Sequence, residues 1–482
     1  MLPRRSSGPR ALGPVVDVKD VDSIDCTTTP AGSPHPELPD AGAPDGDSQE
    51  VRLGSGTALT LASQVVMMAA NALTGILIAR YLGSAGKGVL SVVQQTVAIA
   101  LIVANLGIST SNIFYVSRKL ISPGVAVGNL AVLGPAVVLL MAIPITALLS
   151  GPIAILPIIE PHLAMIAVAS FAVSLLLSWF GSIVVGVRGV RPQAISGILS
   201  AATTLLLVFT LLRVSSLSVA GVVLAGIGGA LVGLANIAWW ARGRIGPLSI
   251  ELSAMRATAR HSLRVHLLGL ADHLLLRQDI LLLGWLSGAS AVGFYSVGVS
   301  FAELAWYIPN AVGVAIQAQG GRVSEASALD FAARGMRISV AITVAVVAVL
   351  ALVVPWLLPA LFGEAFLPSV SIFAWLLPGA ALNGLTALLM YYQLSQGTVY
   401  WRIPLALTVV NAVCIVVLVP ALGVLGAAVA SSLSYAAYFV WILALVRRDT
   451  RLGIRELLIP TGADMRVLLR TAGHYLRLTR AR

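Results

Sequence analysis

The sequence predicts an all-α polytopic membrane protein with twelve transmembrane helices in two pseudo-symmetric six-helix lobes, and three observations carry that prediction. Mean hydropathy is +0.93 and 58% of residues are hydrophobic, well above a soluble domain. Only 11% are charged, and these gather in short stretches. Between them lie apolar runs of roughly 20 to 28 residues, long enough to cross a hydrocarbon core about 30 Å thick. Inside a bilayer each segment must satisfy its own backbone polar groups, so such runs are helices. Third, two short passages recur 205 residues on: Gly88-Val89-Leu90-Ser91-Val92 as Gly293-Phe294-Tyr295-Ser296-Val297, and Leu217-Ser218-Val219-Ala220-Gly221 as Leu422-Gly423-Val424-Leu425-Gly426. Six spans per half give both halves the same orientation, related by an axis along the membrane normal.

Residues 1–52 are rich in Pro, Gly, Asp and Ser and lack apolar periodicity, which predicts a disordered acidic tail. The N-lobe, 53–241, holds spans at 57–79, 89–115, 124–149, 162–187, 193–212 and 217–241. A basic linker, 242–264, leads to the C-lobe, 265–446, with spans at 265–286, 291–316, 338–359, 366–393, 403–420 and 423–446. Within the basic tail 447–482, the stretch Met465–Arg482 has an amphipathic pattern. Arg466, Arg470, Arg477 and Arg480 share one face while Met465, Leu468, Leu469, Ala472 and Leu476 share another, which suits a helix lying on anionic headgroups.

The net charge of +11 excludes a nucleic-acid partner by its placement. Residues 1–52 carry five Lys/Arg and nine Asp/Glu, a net of −4, so the remainder carries +15, mostly in loops on one side. With the N-terminus inside, the loops without the tails divide 13 Lys/Arg to three, the outer ones being Arg80, Lys87 and Arg213. This predicts a multi-pass plasma (inner) membrane protein, embedded in membrane lipids, with both termini cytoplasmic. Cys26 lies in the tail and Cys414 in an apolar run, so neither a disulfide nor a thiolate metal site is implied. An Arg to Lys ratio of 28 to 3 points to a GC-rich bacterial genome.

Ionisable groups inside spans are costly and face a bundle interior or a cavity. Here Asp272, Arg277, Asp279 and Glu303 all fall in the seventh and eighth spans, with His266 and His273 beside them. The clustering predicts a polar cavity, with a structural ion pair pinning two helices as the alternative. At about 100° per residue Asp272 and Asp279 share one face, while His266, His273 and Arg277 form a second stripe roughly 100–140° away. Arg277 therefore has no carboxylate on its own face, and its counter-charge comes from Glu303 or from a bound anion. On the eighth span Ser296, Ser300, Glu303, Tyr307, Asn310 and Gln317 share a face. Shifted by 205, three positions stay polar in the second span: Gln95 for Ser300, Asn105 for Asn310 and Asn112 for Gln317. The first span adds Gln64 and Asn71 on one face. Such stripes serve as interhelical glue or line a central cavity, and matching on equivalent helices favours the cavity.

Enzyme readings lack material. A membrane glycan polymerase or ligase needs an outer catalytic loop, and the longest outer connection is about a dozen residues around Gly151–Pro161. The sequence has no Gly-rich phosphate loop, zinc-type histidine pair or nucleophile elbow. No cofactor is expected, and the choice of H+ or Na+ as coupling ion stays open.

Two passages carry a family resemblance. Ile78-Ala79-Arg80-Tyr81-Leu82-Gly83-Ser84-Ala85-Gly86-Lys87-Gly88 resembles the end of the first helix in polysaccharide-export flippases. Asp279-Ile280-Leu281-Leu282-Leu283-Gly284 with Val292-Gly293-Phe294-Tyr295-Ser296 resembles their seventh and eighth helices. These proteins belong to the multidrug/oligosaccharidyl-lipid/polysaccharide exporter superfamily, and the likeness covers about residues 55–446. It implies a V-shaped pair of lobes that alternates access, moving a polyprenyl-pyrophosphate-linked oligosaccharide outward for cell-surface polysaccharide, with polysaccharide-assembly enzymes as candidate partners. Arg277 would then meet the cargo pyrophosphate. Drug/cation antiporters and lipid II flippases of the same superfamily are the alternatives. The former often carry an acidic residue in the first helix, and 57–79 has none; the latter carry cations in the first two helices, whose interiors here hold only amides and hydroxyls.

Overall fold

The computed structural model describes residues 46–214, 217–251, 263–319, 325–464 and 466. The tail 1–45 and most of the amphipathic stretch 465–482 lie outside the described residues, as does linker segment 252–262. Helices account for the framework: α1 (Gly46–Asn105), α2 (Ile108–Ser117), α3 (Pro123–Ser150), α4 (Pro161–Arg188), α5 (Arg191–Arg213) and α6 (Val219–Ala241) form the N-lobe. The C-lobe comprises α7 (Leu263–Ala302), a 3-10 turn (Glu303–Trp306), α8 (Tyr307–Gln319), α9 (Glu325–Phe362), α10 (Pro368–Ser395), α11 (Arg402–Leu422), α12 (Val424–Thr450) and the short α13 (Ile454–Leu458). The backbone of α1 begins at Gly46, so the boundary placed at residue 52 moves toward the N-terminus.

Among the described residues, ten helical segments are long and apolar enough to span a membrane. Two of them are too long for one crossing: Ala62–Asn105 has 44 residues and His266–Gln317 has 52, roughly 66 and 78 Å of straight helix. Each breaks near its middle at a glycine with left-handed φ, Gly83 (φ 67°, ψ −172°) and Gly288 (φ 80°, ψ −177°). Only glycine adopts this geometry without strain. Each segment therefore supplies two spans, which brings the total among the described residues to twelve. The two glycines are 205 residues apart, and so are the first residues of α6 and α12, Val219 and Val424. Helix starts follow ordinary capping: Ser122 accepts from the Val125 amide at 3.2 Å with Pro123 in the first turn, and Ser218 accepts from Gly221 at 3.1 Å.

One expected helix is discontinuous. The span read as 89–115 breaks at Leu106 (φ 45°) and Gly107 (φ 74°), and α2 resumes at Ile108. The Asn105 side chain accepts from Ser109 N–H and Oγ–H across the break.

The lobes meet at the end of the bundle that carries Gly83 and Gly288, called here the hairpin end. A Cβ on Gly88 would run into the carbonyl of Ala289, and one on Gly293 into the carbonyl of Ser84. Residues 84 and 289, like 88 and 293, are related by the same offset of 205, so this glycine collar is a two-fold contact. Beside it, Gly284 packs on Ile155 and Val92. Arg80 crosses from α1 to the last turn of α9, donating to the carbonyls of Leu361 and Ala360 at 2.6 Å each.

At the opposite, linker end, the chain leaving each lobe is clipped to that lobe's third span. Residues 245–249 run past Gly124 and Gly128 of α3, whose missing side chains admit the carbonyls of Ile245, Pro247 and Ser249. Asn129 then pairs with both backbone groups of Glu251, at 2.9 and 3.1 Å. In the C-lobe, Arg337 of α9 grips Asp464 through two bonds of 2.7 and 3.2 Å and donates to the Glu456 carbonyl at 2.7 Å.

Candidate functional site

The charged positions of the seventh span separate onto two faces, as helical spacing requires. Asp272 and Asp279 both turn toward α12. Asp272 faces Tyr438; Asp279 accepts from Tyr295 Oη at 2.5 Å, Ser431 Oγ at 3.2 Å and the Ile280 amide at 2.8 Å. Ser431 and Tyr438 lie seven apart, matching the spacing of the two carboxylates across the helix pair. Next to them Gln278 donates to the Thr408 carbonyl (2.6 Å) and to Asn411 Oδ1 (3.1 Å), and Asn411 donates to Ser434 (3.2 Å). Asp279 is only 2% exposed. This network sits inside the C-lobe, and a carboxylate with three donors is a satisfied group. Asp279 therefore organises the lobe interior and lies off the cavity wall.

The other face presents His273 and Arg277. Arg277 Nη1 lies 2.7 Å from Glu303 Oε1, and the two side chains keep 25% and 17% of their surface exposed. Of the two counter-charges open to Arg277, the structure provides Glu303, on the 3-10 turn of the eighth span. One turn before Arg277, His273 Nε2 meets Gln95 Nε2 at 3.2 Å, a contact between the lobes. Arg277 is eleven residues from Gly288 and Gln95 twelve from Gly83, about 16 to 18 Å along each helix. Both contacts therefore lie near mid-depth. His266, two turns earlier on the same stripe, is half-buried.

From this level to the linker end the polar positions of the facing helices are exposed. Tyr307 is 50% exposed, and Asn310 and Gln317 on α8 are exposed, as are Gln64 and Asn71 on α1. The lobe contacts named above lie on the other side of the Gln95–His273 level. The candidate site is the cleft that these faces would form, closed toward the hairpin end, with Arg277, Glu303, His273 and Gln95 at its closed end and amides on its walls.

The matched polar stripe holds only in part. Asn105 accepts from Trp179 Nε1 at 2.9 Å and Asn112 donates to Ser182 at 3.3 Å, so both point into the N-lobe. The helix breaks at Leu106–Gly107, between Asn105 and Asn112, and of the N-lobe positions Gln95, Gln64 and Asn71 are left for the wall. The residues missed in the sequence are Tyr295, Ser431, Tyr438, Gln278, Asn411 and Ser434. The seven-residue spacing of Ser431 and Tyr438, equal to that of Asp272 and Asp279, was the signal that could have found two of them. Among the described residues no group of three or more His, Cys, Asp and Glu gathers as a metal site would.

Residues 53–317 match the family described as polysaccharide biosynthesis protein. The fold resembles that of lipid II flippase MurJ in an inward closed conformation, with a TM-score of 0.64 and 12% identity over 81% of this chain and 87% of that one. It is likewise similar to a multidrug resistance MATE family transporter of the MOP superfamily in an inward-facing conformation (0.62, 16%, 82% and 99%). A MOP superfamily transporter from Pyrococcus furiosus matches at 0.59 with 16% identity, over 81% and 94%. At these identities the likeness establishes a shared fold. No curated protein matches the sequence.

Proposed function

The chain belongs to the polysaccharide biosynthesis protein family, and from that premise we propose that it flips a polyprenyl-pyrophosphate-linked oligosaccharide across the plasma membrane by alternating access. The 13 to 3 division of loop Lys/Arg supports cytoplasmic termini. The hairpin end then faces outward, and the cleft opens to the cytoplasm, where such a cargo is assembled.

The observation that carries this reading is Arg277 at the closed end of the cleft, a fork-shaped cation near mid-membrane held by one partly exposed carboxylate. A guanidinium matches two phosphate oxygens at once, and the pair keeps it charged and aimed until a better anion arrives. Pyrophosphate displaces Glu303 from Arg277, while the amides Gln64, Asn71, Asn310 and Gln95 and the hydroxyl of Tyr307 offer neutral partners for sugar hydroxyls. His273 sits one turn away, where closure between the lobes registers cargo. Asp272 and Asp279 support this wall from behind.

Transport of lipid-linked repeat units, scored by their appearance on the outer leaflet, tests the reading. Arg277→Lys keeps a point charge without the fork and transports partially; Arg277→Ala fails with protein still in the membrane. A purely structural pair behaves differently. Removing either partner strands a mostly buried charge, at up to about 3–5 kcal/mol, and the protein level falls. The double variant Arg277→Leu with Glu303→Leu would then recover both level and transport, and recovery of transport would end the cargo-binding role. In a strain lacking the gene, complete repeat units accumulate on the inner leaflet; unpolymerised units already outside would point to a polymerase.

A further inference from the structure

The contact between Arg80 and α9 has no part in cargo binding and no equivalent in the other half of the molecule. Helix α9 ends at Phe362 with no basic residue in its last turn. The last carbonyls of a helix lack intrahelical donors and carry the negative end of its dipole. Gly363 N–H satisfies that of Pro359 at 2.8 Å. The carbonyls of Ala360 and Leu361 take their donors from Arg80, which belongs to the opposite lobe.

Symmetry gives an internal control. The residue 205 positions after Arg80 is Trp285, which is 65% exposed. The positions 205 before Ala360 and Leu361 are Ile155 and Leu156, and Ile155 makes an apolar contact with Gly284. One half of the hairpin end is thus closed by dispersion against glycine, the other by two charge-assisted hydrogen bonds. A cap drawn from within the lobe would leave its movement free. This one ties the first span of the N-lobe to the ninth span of the C-lobe, and it must break whenever the hairpin end opens.

We propose that Arg80 is the outer latch of the transport cycle: its guanidinium, docked on the C-terminus of α9, holds the inward-facing state and is released when the lobes open outward. The proposal rests on the alternating-access reading above. Collar packing at Gly88 and Gly293 shapes the closed state, while Arg80 adds the directional part of its stability, about tenfold in population if one charge-assisted bond's worth is lost.

The test uses the full-length chain in intact cells, with Cys26 and Cys414 replaced by serine and Ser296→Cys as reporter. Ser296 is 7% exposed and lies one turn inside Gly293, behind the collar. A membrane-impermeant maleimide added outside should label it slowly with Arg80 present, and several-fold faster with Arg80→Ala at equal protein level. Arg80→Lys, which keeps a charge but not the fork, falls between. Should Arg80→Ala not accumulate, Arg80→Gln retains the stem and one donor group and is scored the same way. Labelling rates unchanged from the Arg80 protein overturn the latch, as does loss of protein in both variants, which would assign these bonds to folding. Absence of external labelling in every variant, with or without cargo synthesis, would instead sink alternating access itself.

Discussion

Shifted back by 205 residues, Asp272 falls on Met67, His273 on Met68, Arg277 on Ala72, Asp279 on Thr74 and Glu303 on Ala98. The paths of the backbone agree at the same offset: left-handed glycines at Gly83 and Gly288, and reciprocal close approach at Gly88 and Gly293. Thr74, where the C-lobe has its buried carboxylate, bonds only the Ala70 carbonyl of its own helix, at 2.8 Å. A six-helix lobe of this shape therefore forms without any charge inside its first two spans, 57–79 and 89–115. Ionisable groups in membrane interiors are expensive, and the C-lobe keeps four of them on a framework that the N-lobe builds from Met, Ala and Thr. The six-helix shape alone does not require them: Asp279 is tied into the C-lobe interior, whereas Arg277 and Glu303 keep exposed surface and are the pair open to the proposed role in cargo handling.

The sharpest way to break the comparison is at the collar, where the halves are alike. Gly88→Val and Gly293→Val each drive a branched side chain into a backbone carbonyl of the other lobe, which no rotamer change relieves. Both should abolish transport and lower the yield of monodisperse protein in size-exclusion chromatography, to a similar degree. A severe effect in one and none in the other would show that the contact is not two-fold.

Where the halves differ, the effects should differ. Asp279→Leu leaves the buried hydroxyls of Tyr295 and Ser431 short of an acceptor, at roughly 2–4 kcal/mol for the two groups. Thr74→Val removes a hydroxyl bonded within its own turn and should cost less than about 1 kcal/mol. Thermal unfolding of both variants in the same detergent compares them, and equal destabilisation would mean that Thr74 carries a role its hydrogen bond does not show.

The span positions were legible because apolar length and charge spacing are imposed by the bilayer; 124–149 and Pro123–Ser150, or 162–187 and Pro161–Arg188, differ by one residue at each end. The repeat was legible through two short passages, one of which carries the backbone-critical Gly88 and recurs with Gly293. The break at Leu106–Gly107 was not, since Gly107 lies in an otherwise apolar run and a single glycine is tolerated in a helix at modest cost. Helical phase separates Arg277 from the two aspartates correctly. It cannot say which helix each face meets, and so the sequence groups Asp279 with the cavity although its partners lie on α12 and at Tyr295.

The interrupted stripe gives a smaller contrast. Asn105→Ala removes an acceptor from the buried indole of Trp179 and from Ser109, which should cost about 1–2 kcal/mol. Its repeat partner Asn310 is exposed in the cleft, so Asn310→Ala should leave the melting temperature unchanged and slow transport. A stability loss at Asn310 as large as at Asn105 would return both to the role of interhelical glue.

The most local expected effect concerns the two clips at the linker end, which perform one task with different chemistry. In the N-lobe a neutral amide, Asn129, holds the backbone of Glu251. In the C-lobe the clip is ionic, and the fork of Arg337 holds the Asp464 carboxyl far below the usual carboxylate range. A depressed folded-state pKa contributes stability that is complete above the unfolded value of about 4 and fades only as pH falls through the folded one. The C-terminal clip should therefore stay closed from about pH 8 to about pH 5. Hydrogen exchange of residues 454–464, corrected for intrinsic rates, should show flat protection over that window. Asp464→Asn keeps the shape and loses the charge, and should raise exchange there by the equivalent of about 1–2 kcal/mol. Asn129→Ala should release residues 245–251 with no pH dependence at all. A carboxylate of ordinary pKa does not titrate between about pH 7 and about pH 5 either. Loss of C-terminal protection already in that interval would therefore show that Asp464 is not what fastens the segment.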